Sequence, residues 1–461
     1  MMTLRDVALK VSGAFVAIAL AMLSVCVSAG AAKKPVDPRV RGGAAGAGNP
    51  LKNLTTDENT FFQDGFTRFI EVEVVQGGSN NGLGPRFNSN QCLSCHAQPA
   101  AGGSSPARNP SIAMATLNGA KNAVPWFNTQ NGPVREARFK RKTDGTNDGG
   151  VHDIFVITGR SDAGACNIAQ PDFRPAGNPL TGQGGNPNIV FRIPTPVLGA
   201  GLIEAIPDSV ILANMHANAP EKAQLGIYGH PNAHLSGAAN RSGNDLLMFA
   251  AEAYNVEMGI SNQLFPQERD ETPACLFTAT PNDALNFTTA PRGAGTSDPA
   301  VISDTEAFSN FMRMLAPPTP APDTPSTVNG RATFTKVGCA HCHTASLTTG
   351  KMIASGSSTV PSAALSNQTA NLWSDLLVHH MGKGLEDGIT QGGAGPDEFR
   401  TAPLWGVGQR IFFLHDGRTT NLVEAIEDHQ SPGSEANRVI ERFRRLSTHD
   451  QQDVINFLRS L

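Results

Sequence analysis

Two C-x-x-C-H blocks, a set of segments that follows each block in the same order, and two closing helices of matched sequence predict a mainly α protein of two related domains, with long loops and a small β insertion in the first. The blocks are Cys92-Leu93-Ser94-Cys95-His96 and Cys339-Ala340-His341-Cys342-His343. Their spacing suits covalent attachment of a c-type haem: two thiols two residues apart each add to a vinyl group, and the adjacent His is held under the iron as its proximal ligand. C-x-x-C also builds zinc and redox sites. A zinc site, however, usually draws two such pairs close together, whereas here each pair carries its own His. Two covalent haems are expected, on Cys92, Cys95 and His96 and on Cys339, Cys342 and His343, and the two domains are expected to be cytochrome c-like.

Residues 1–31 read as a secretory signal, because Arg5 and Lys10 precede an apolar run from Val11 through Val27 and Ser28-Ala29-Gly30-Ala31 offers small residues for cleavage. The mature protein is then exported, to a periplasm or its equivalent, with no membrane span left. An uncleaved anchor is the competing reading, since the run is near the lower limit for a span. Leu23-Ser24-Val25-Cys26 is not read as a lipoprotein site, because Val25 is too large for the residue before the modified Cys. The first domain is placed at 50–315, a Pro-rich linker at 316–328 and the second domain at 329–461.

The repeats justify the two domains. Phe191-Arg192-Ile193-Pro194-Thr195-Pro196-Val197-Leu198-Gly199-Ala200-Gly201 matches Phe399-Arg400-Thr401-Ala402-Pro403-Leu404-Trp405-Gly406-Val407-Gly408, both extended and ending in G-x-G. Glu252-Ala253 leads to Met258 as Glu424-Ala425 leads to His429, each at a helix end. Asn310-Phe311-Met312-Arg313 matches Asn456-Phe457-Leu458-Arg459 in helices opened by Ser303 with Glu306 and by Ser447 with Asp450. Apolar residues recur at helical spacing in both, giving each one buried stripe. The first half is the longer, and runs such as Asp153-Ile154-Phe155-Val156-Ile157 suggest a small sheet in it.

Composition narrows the partners. Lys and Arg number 36 against 40 Asp and Glu, which provides no basic footprint for nucleic acid. With 47 Gly, 32 Pro and 16% charged residues, long loops must connect modest regular structure. Of the seven cysteines, Cys26 lies in the leader and four in the blocks; Cys166 and Cys275 remain, to form either a disulfide or two buried thiols.

At these residues the chain resembles the di-haem oxidoreductase family of peroxidase-like and thiol-oxidoreductase-like proteins. Gly82-Leu83-Gly84-Pro85-Arg86-Phe87-Asn88, Gly159-Arg160-Ser161-Asp162-Ala163, Pro194 through Pro207, Glu257-Met258-Gly259-Ile260-Ser261 and Trp405 through Arg418 carry the resemblance. Through Phe413-Leu414-His415-Asp416-Gly417-Arg418 the chain is more distantly similar to bacterial di-haem cytochrome c peroxidases and tryptophan-modifying di-haem enzymes. In those relatives one haem accepts peroxide and the other relays electrons. The resemblance also allows a calcium ion between the halves, although no run of ligands demands one.

The sixth iron ligands decide between electron transfer and chemistry. His429 stands where the resembling peroxidases place a distal ligand, with His415 and Met381 as competitors. For the first haem the internal repeat points to Met258; were that iron open, Glu204 becomes the acid–base candidate, by a resemblance whose spacing is imperfect. Arg400 and Arg418 are candidates to pair with propionates, and Trp405, opposite Leu198 in the repeat, is the candidate electron relay between haems. The function expected is oxidoreduction, with electrons from a small cytochrome or cupredoxin and peroxide as the oxidant. A pure electron-transfer cytochrome with both irons six-coordinate is the rival, and a structural haem-binding partner in iron handling the third reading.

Overall fold

The computed structural model describes residues 34–461 except 76–79, 118, 121, 174–187, 233–245, 268, 270–271, 277–281, 286–301 and 355–359; the side chains of 284 and 285 are likewise left aside. The expected signal lies outside the described residues. Six helices carry the architecture: α1 (Thr56–Phe69), α2 (Leu246–Met258), α3 (Asp304–Met314), α4 (Pro325–Val337), α5 (Leu422–Glu427) and α6 (Thr448–Ser460). Further helices, among them Asp208–His216 and Asn437–Arg444, with helical turns and nine strands of two to four residues, complete the described chain.

The helix starts follow local chemistry. Thr55 caps α1 in a full capping box with Glu58, and Thr324 does the same for α4 with Thr327. Ser303 and Ser447 accept from the amides of Glu306 and Asp450, as their spacing predicts. Pro325 occupies the first turn of α4, where its missing N–H costs nothing, so this helix begins inside the expected 316–328 linker.

Two helix crossings repeat one design. A Cβ on Gly65 of α1 would lie 2.3 Å from the carbonyl of Ala307 and 2.9 Å from Phe311 Cβ. On Gly330 of α4 it would lie 1.9 Å from the carbonyl of Asp453 and 2.8 Å from Phe457 Cβ. Each opening helix thus meets its closing helix through a glycine, against two residues one turn apart. The G-x-G segments repeat as well: Gly201 and Gly408 back directly onto the carbonyls of Arg313 and Arg459, two residues beyond each Phe. That close approach is why glycine recurs there.

The strands form four small sheets among the described residues. β2 (Glu136–Phe139) pairs with β3 (Val151–His152) and with β5 (Ile189–Arg192), the insertion expected in the first half. β1 (Arg86–Phe87) pairs with β4 (Phe155–Val156). In the second half β6 (Leu347–Thr348) pairs with β7 (Thr369–Ala370), and β8 (Val378–His380) with β9 (Glu398–Arg400). Phe191-Arg192 and Phe399-Arg400, matched in sequence, both end strands.

Val36–Leu461 forms one compact unit whose main core is not divided at the linker. Leu347, Leu365 and Leu372 from the second half join Phe61, Phe155, Tyr254 and Phe311 of the first. A second core gathers Phe334, Phe443, Val454 and Phe457. Residues 36–45, placed in neither expected domain, run along the second half: Asp37 receives Arg459 Nε and Nη2 at 2.7 Å each, and Gln409 Nε2 donates to Ala45 O. Cys166 and Cys275 form a buried disulfide, resolving the alternative left by the sequence.

Candidate haem cavity

Each C-x-x-C-H block is a single helical turn, which brings its two thiols to one side. The amide of His96 bonds to Cys92 O at 3.1 Å and that of His343 to Cys339 O at 2.9 Å. Gly338 ends α4 with φ 109°, a left-handed conformation that glycine tolerates, and swings the chain directly into the second block. Phe69 and Phe334, each one turn beyond the glycine of its crossing, approach His96 and His343 with ring centroids 6.4 and 6.1 Å apart. The blocks are therefore positioned by the repeated crossings.

All four thiols and both histidines line one continuous cavity of about 1060 Å³. That exceeds an ordinary small-ligand pocket, ~300–1,000 Å³. A family model described as "Di-haem oxidoreductase, putative peroxidase" matches residues 186–461. The chain belongs to this family. Among solved structures, this di-haem oxidoreductase is similar to a chain of Kuenenia stuttgartiensis hydrazine synthase under xenon pressure, at 18% identity and a TM-score of 0.23. The similarity covers 41% of this chain and 59% of that one. No curated protein matches the sequence.

The residues of this di-haem oxidoreductase fit its cofactors. His343 Nδ1 lies 3.0 Å from Trp373 O and His429 Nδ1 2.7 Å from Ala425 O, so both rings are oriented by the backbone and keep Nε2 for the cavity they line. Burial pushes His343 down to about 4, with His429 the next contributor, and burial likewise lowers His429 and His96. All three imidazoles are thus kept neutral, the form that binds a metal. His96 Nδ1 sits 3.1 Å from Gly103 O. Met258, at the end of α2, is buried on the same cavity wall. Arg410 lines the cavity with a buried Nε that has no hydrogen-bond partner among the described residues, a group that fits a haem carboxylate.

The cavity also collects Trp405, Arg400, His415 and Met381. Trp405 lies across Gly199, where a Cβ would come within 2.6 Å of its ring. His415 stacks on Phe399 with centroids 4.4 Å apart. Arg418 instead binds Asp416 outside the cavity, and His341 lies 3.5 Å from Glu221. Trp126 and Trp373 do not line it either: Trp126 donates to Phe173 O, and Trp373 packs on Phe334 and Phe457.

Glu204, like Arg418, is a sequence-based candidate that the structure places elsewhere. It does not line the cavity, and its carboxylate is held by Arg313 at 2.6 and 3.0 Å and by the amide of Leu246. Among the carboxyls on the wall is Glu257, bonded to Asn88 Nδ2 at 2.8 Å and to Glu136 of β2. Burial, with Glu136 the next cause, pushes Glu257 up to about 8. Glu257 stood beside Met258 in the quoted sequence, but Glu136 arrives from a strand with no local signal.

His379 was also unforeseen as a site residue. Its Nε2 lies 3.0 Å from Asp375 and its Nδ1 2.7 Å from Glu435, beside the Cys342 sulfur at 3.7 Å. Burial opposes its charge, but Asp375, then the Cys342 sulfur and Glu435, prevail and raise it to about 12. Among the described residues, Cys342–Asp375–His379 and His449–Asp450–Asp453 converge as metal-ligand groups. Each includes a nitrogen or sulfur donor, so neither is the all-oxygen set that calcium takes.

Proposed function

We propose that the protein is an exported, periplasmic c-type oxidoreductase of two cytochrome c-like halves. It takes electrons from a small cytochrome or cupredoxin, passes them between its haems and delivers them to a small oxidant, peroxide foremost. The observation that carries this reading is the single cavity lined by both C-x-x-C-H blocks with unlike side chains available to each, Met258 and His429. Haem attached at Cys92 and Cys95 and at Cys339 and Cys342 supplies one-electron chemistry and an open or closed coordination position.

The chain's residues take distinct parts. His96 and His343 are the proximal ligands, each oriented through Nδ1 by a backbone carbonyl. His429 would be the second imidazole for the second haem and Met258 the sulfur for the first, and one of the two would have to leave its iron on reduction for peroxide to bind. Trp405 sits across Gly199, where the G-x-G loops of the two halves meet, and serves as the relay. Reducing peroxide to two waters consumes two electrons and two protons; Glu257, half-buried on the wall and bonded to Glu136, is the carboxyl that replaces Glu204 in that role.

Electron paramagnetic resonance on the oxidised and half-reduced protein, with a peroxide assay, tests the reading. A high-spin signal in either state together with turnover is expected. Low-spin signals throughout and no turnover would leave the rival, a pure electron-transfer cytochrome, which the presence of both Met258 and His429 on the wall also accommodates. Replacing Cys339 and Cys342 by Ala removes one of two haem stains on a denaturing gel.

A further inference from the structure

Five arginines line the cavity among the described residues, and two are neutralised: Arg138 by Glu136 and Arg192 by Asp387 at 2.8 Å. Arg135, Arg400 and Arg410 have no carboxylate within ion-pair distance among the described residues. Arg135 donates Nε to the backbone carbonyl of Asp416 at 3.1 Å and lies over the Phe191 ring. Arg410 keeps its buried Nε unpartnered among the described residues. Burial lowers the pKa of all three, Arg410 to about 10. Arg135 and Arg410 are half-buried and Arg400 is exposed on the open cavity, so three cations stand on this wall without a counter-charge, an arrangement that suits anions.

All three are tied to one segment, 399–418. Arg400 ends β9, Arg410 follows the turn Val407–Gln409, and Arg135 is anchored on Asp416. That segment binds the first half through Gln98 Nε2 to Gln409 O at 3.1 Å and Ile193 N to His415 O at 2.9 Å. It belongs to the second half through Phe413 and Val407 in the second core. A planar fork of N–H donors favours paired carboxylate oxygens.

We propose that Arg135, Arg400 and Arg410 form one cationic seam that binds the propionate carboxylates of both haems, so that segment 399–418 holds the two cofactors together. This rests on the two-haem reading above. Propionates and an external carboxylate substrate share the same chemistry, and the test separates them.

The full-length, haem-loaded protein is compared with R135A, R400A, R410A and R410K by potentiometric titration, following each haem's absorbance, with haem stain and circular dichroism as controls. Removing a cation disfavours the electron that reduction adds, so each Ala variant shifts midpoint potential downward, and R410K restores most of the shift. Across the set both haems move. Unchanged potentials in all variants that keep two haems overturn the seam, and shifts confined to one haem overturn its shared character. Acetate titrations that distinguish R410A from wild type while the potentials stay equal assign the site to an external carboxylate and also overturn it. If R410A fails to fold, R410K and R400A carry the comparison. A wild-type protein staining for fewer than two haems defeats the two-haem reading instead.

Discussion

Glu204 and Arg313 form a two-pronged ion pair, Nε to Oε2 at 2.6 Å and Nη2 to Oε1 at 3.0 Å, that ties the short helix Ala200–Glu204 to the end of α3. Both side chains are largely buried. Removing one partner of such a pair typically costs about 3–5 kcal/mol because it strands the other charge. Glu204→Gln should therefore lower stability in denaturant titrations by that order, with peroxide turnover retained wherever the variant stays folded. Lost turnover at unchanged stability would return Glu204 to the chemistry.

His429 offers a spectroscopic test. Its ring is oriented by Ala425 O and faces the cavity that His343 lines. His429→Ala should convert one low-spin haem signal to high-spin while the haem stain stays at two. An unaltered spectrum would remove His429 from the ligand set.

The matched glycines make a packing prediction. Gly330→Ala places a methyl group 1.9 Å from the Asp453 carbonyl, and Gly65→Ala one 2.3 Å from the Ala307 carbonyl. Overpacking of this kind costs ~1–3 kcal/mol or more, since backbone must move on both sides. Both variants should melt at lower temperature, whereas Gly145→Ala, which meets nothing within 4 Å, should lose less, its cost confined to the strained φ of +85°.

Glu73 sets a pH dependence. It is buried, and burial first, then Asp304 and Glu71, pushes its pKa from 4.5 up to about 8. The folded protein therefore retains a proton that the unfolded chain releases near 4.5. Below that pH both states are protonated and the group contributes no slope; from there to about 8 stability falls as pH rises. Glu73→Gln should flatten part of that decline in urea midpoints measured at pH 5 and pH 8. An identical slope in the variant would discard this assignment.

The Cys166–Cys275 disulfide spans 109 residues. Restricting an unfolded loop of this length is worth about 4.7 kcal/mol by chain entropy, and disulfides typically deliver ~2–4 kcal/mol. The double Ala variant should unfold at correspondingly lower denaturant, and equal midpoints would show that the bridge does not stabilise the fold.

Much of the site was legible because its chemistry is local. Cys92 to His96 and Cys339 to His343 must be consecutive to meet one cofactor, and the serine caps of α3 and α6 act over three residues, so sequence order alone reveals them. The repeated G-x-G was legible as a repeat but not as a contact; its cause is the carbonyls of Arg313 and Arg459, far along the chain.

The sequence by itself determined two haem-attachment blocks, a duplicated order of segments and the residue types that can complete each site. Tertiary structure decided which of them share the cavity: Met258, His429, Trp405 and Arg400 line it, while Glu204 and Arg418 turn to partners elsewhere. It also brought in Glu136, Arg135 and Arg410, which carry no local signature. The physical reason is that covalent attachment and helix capping act between near neighbours, whereas burial and charge pairing depend on which distant segments the packed cores bring together.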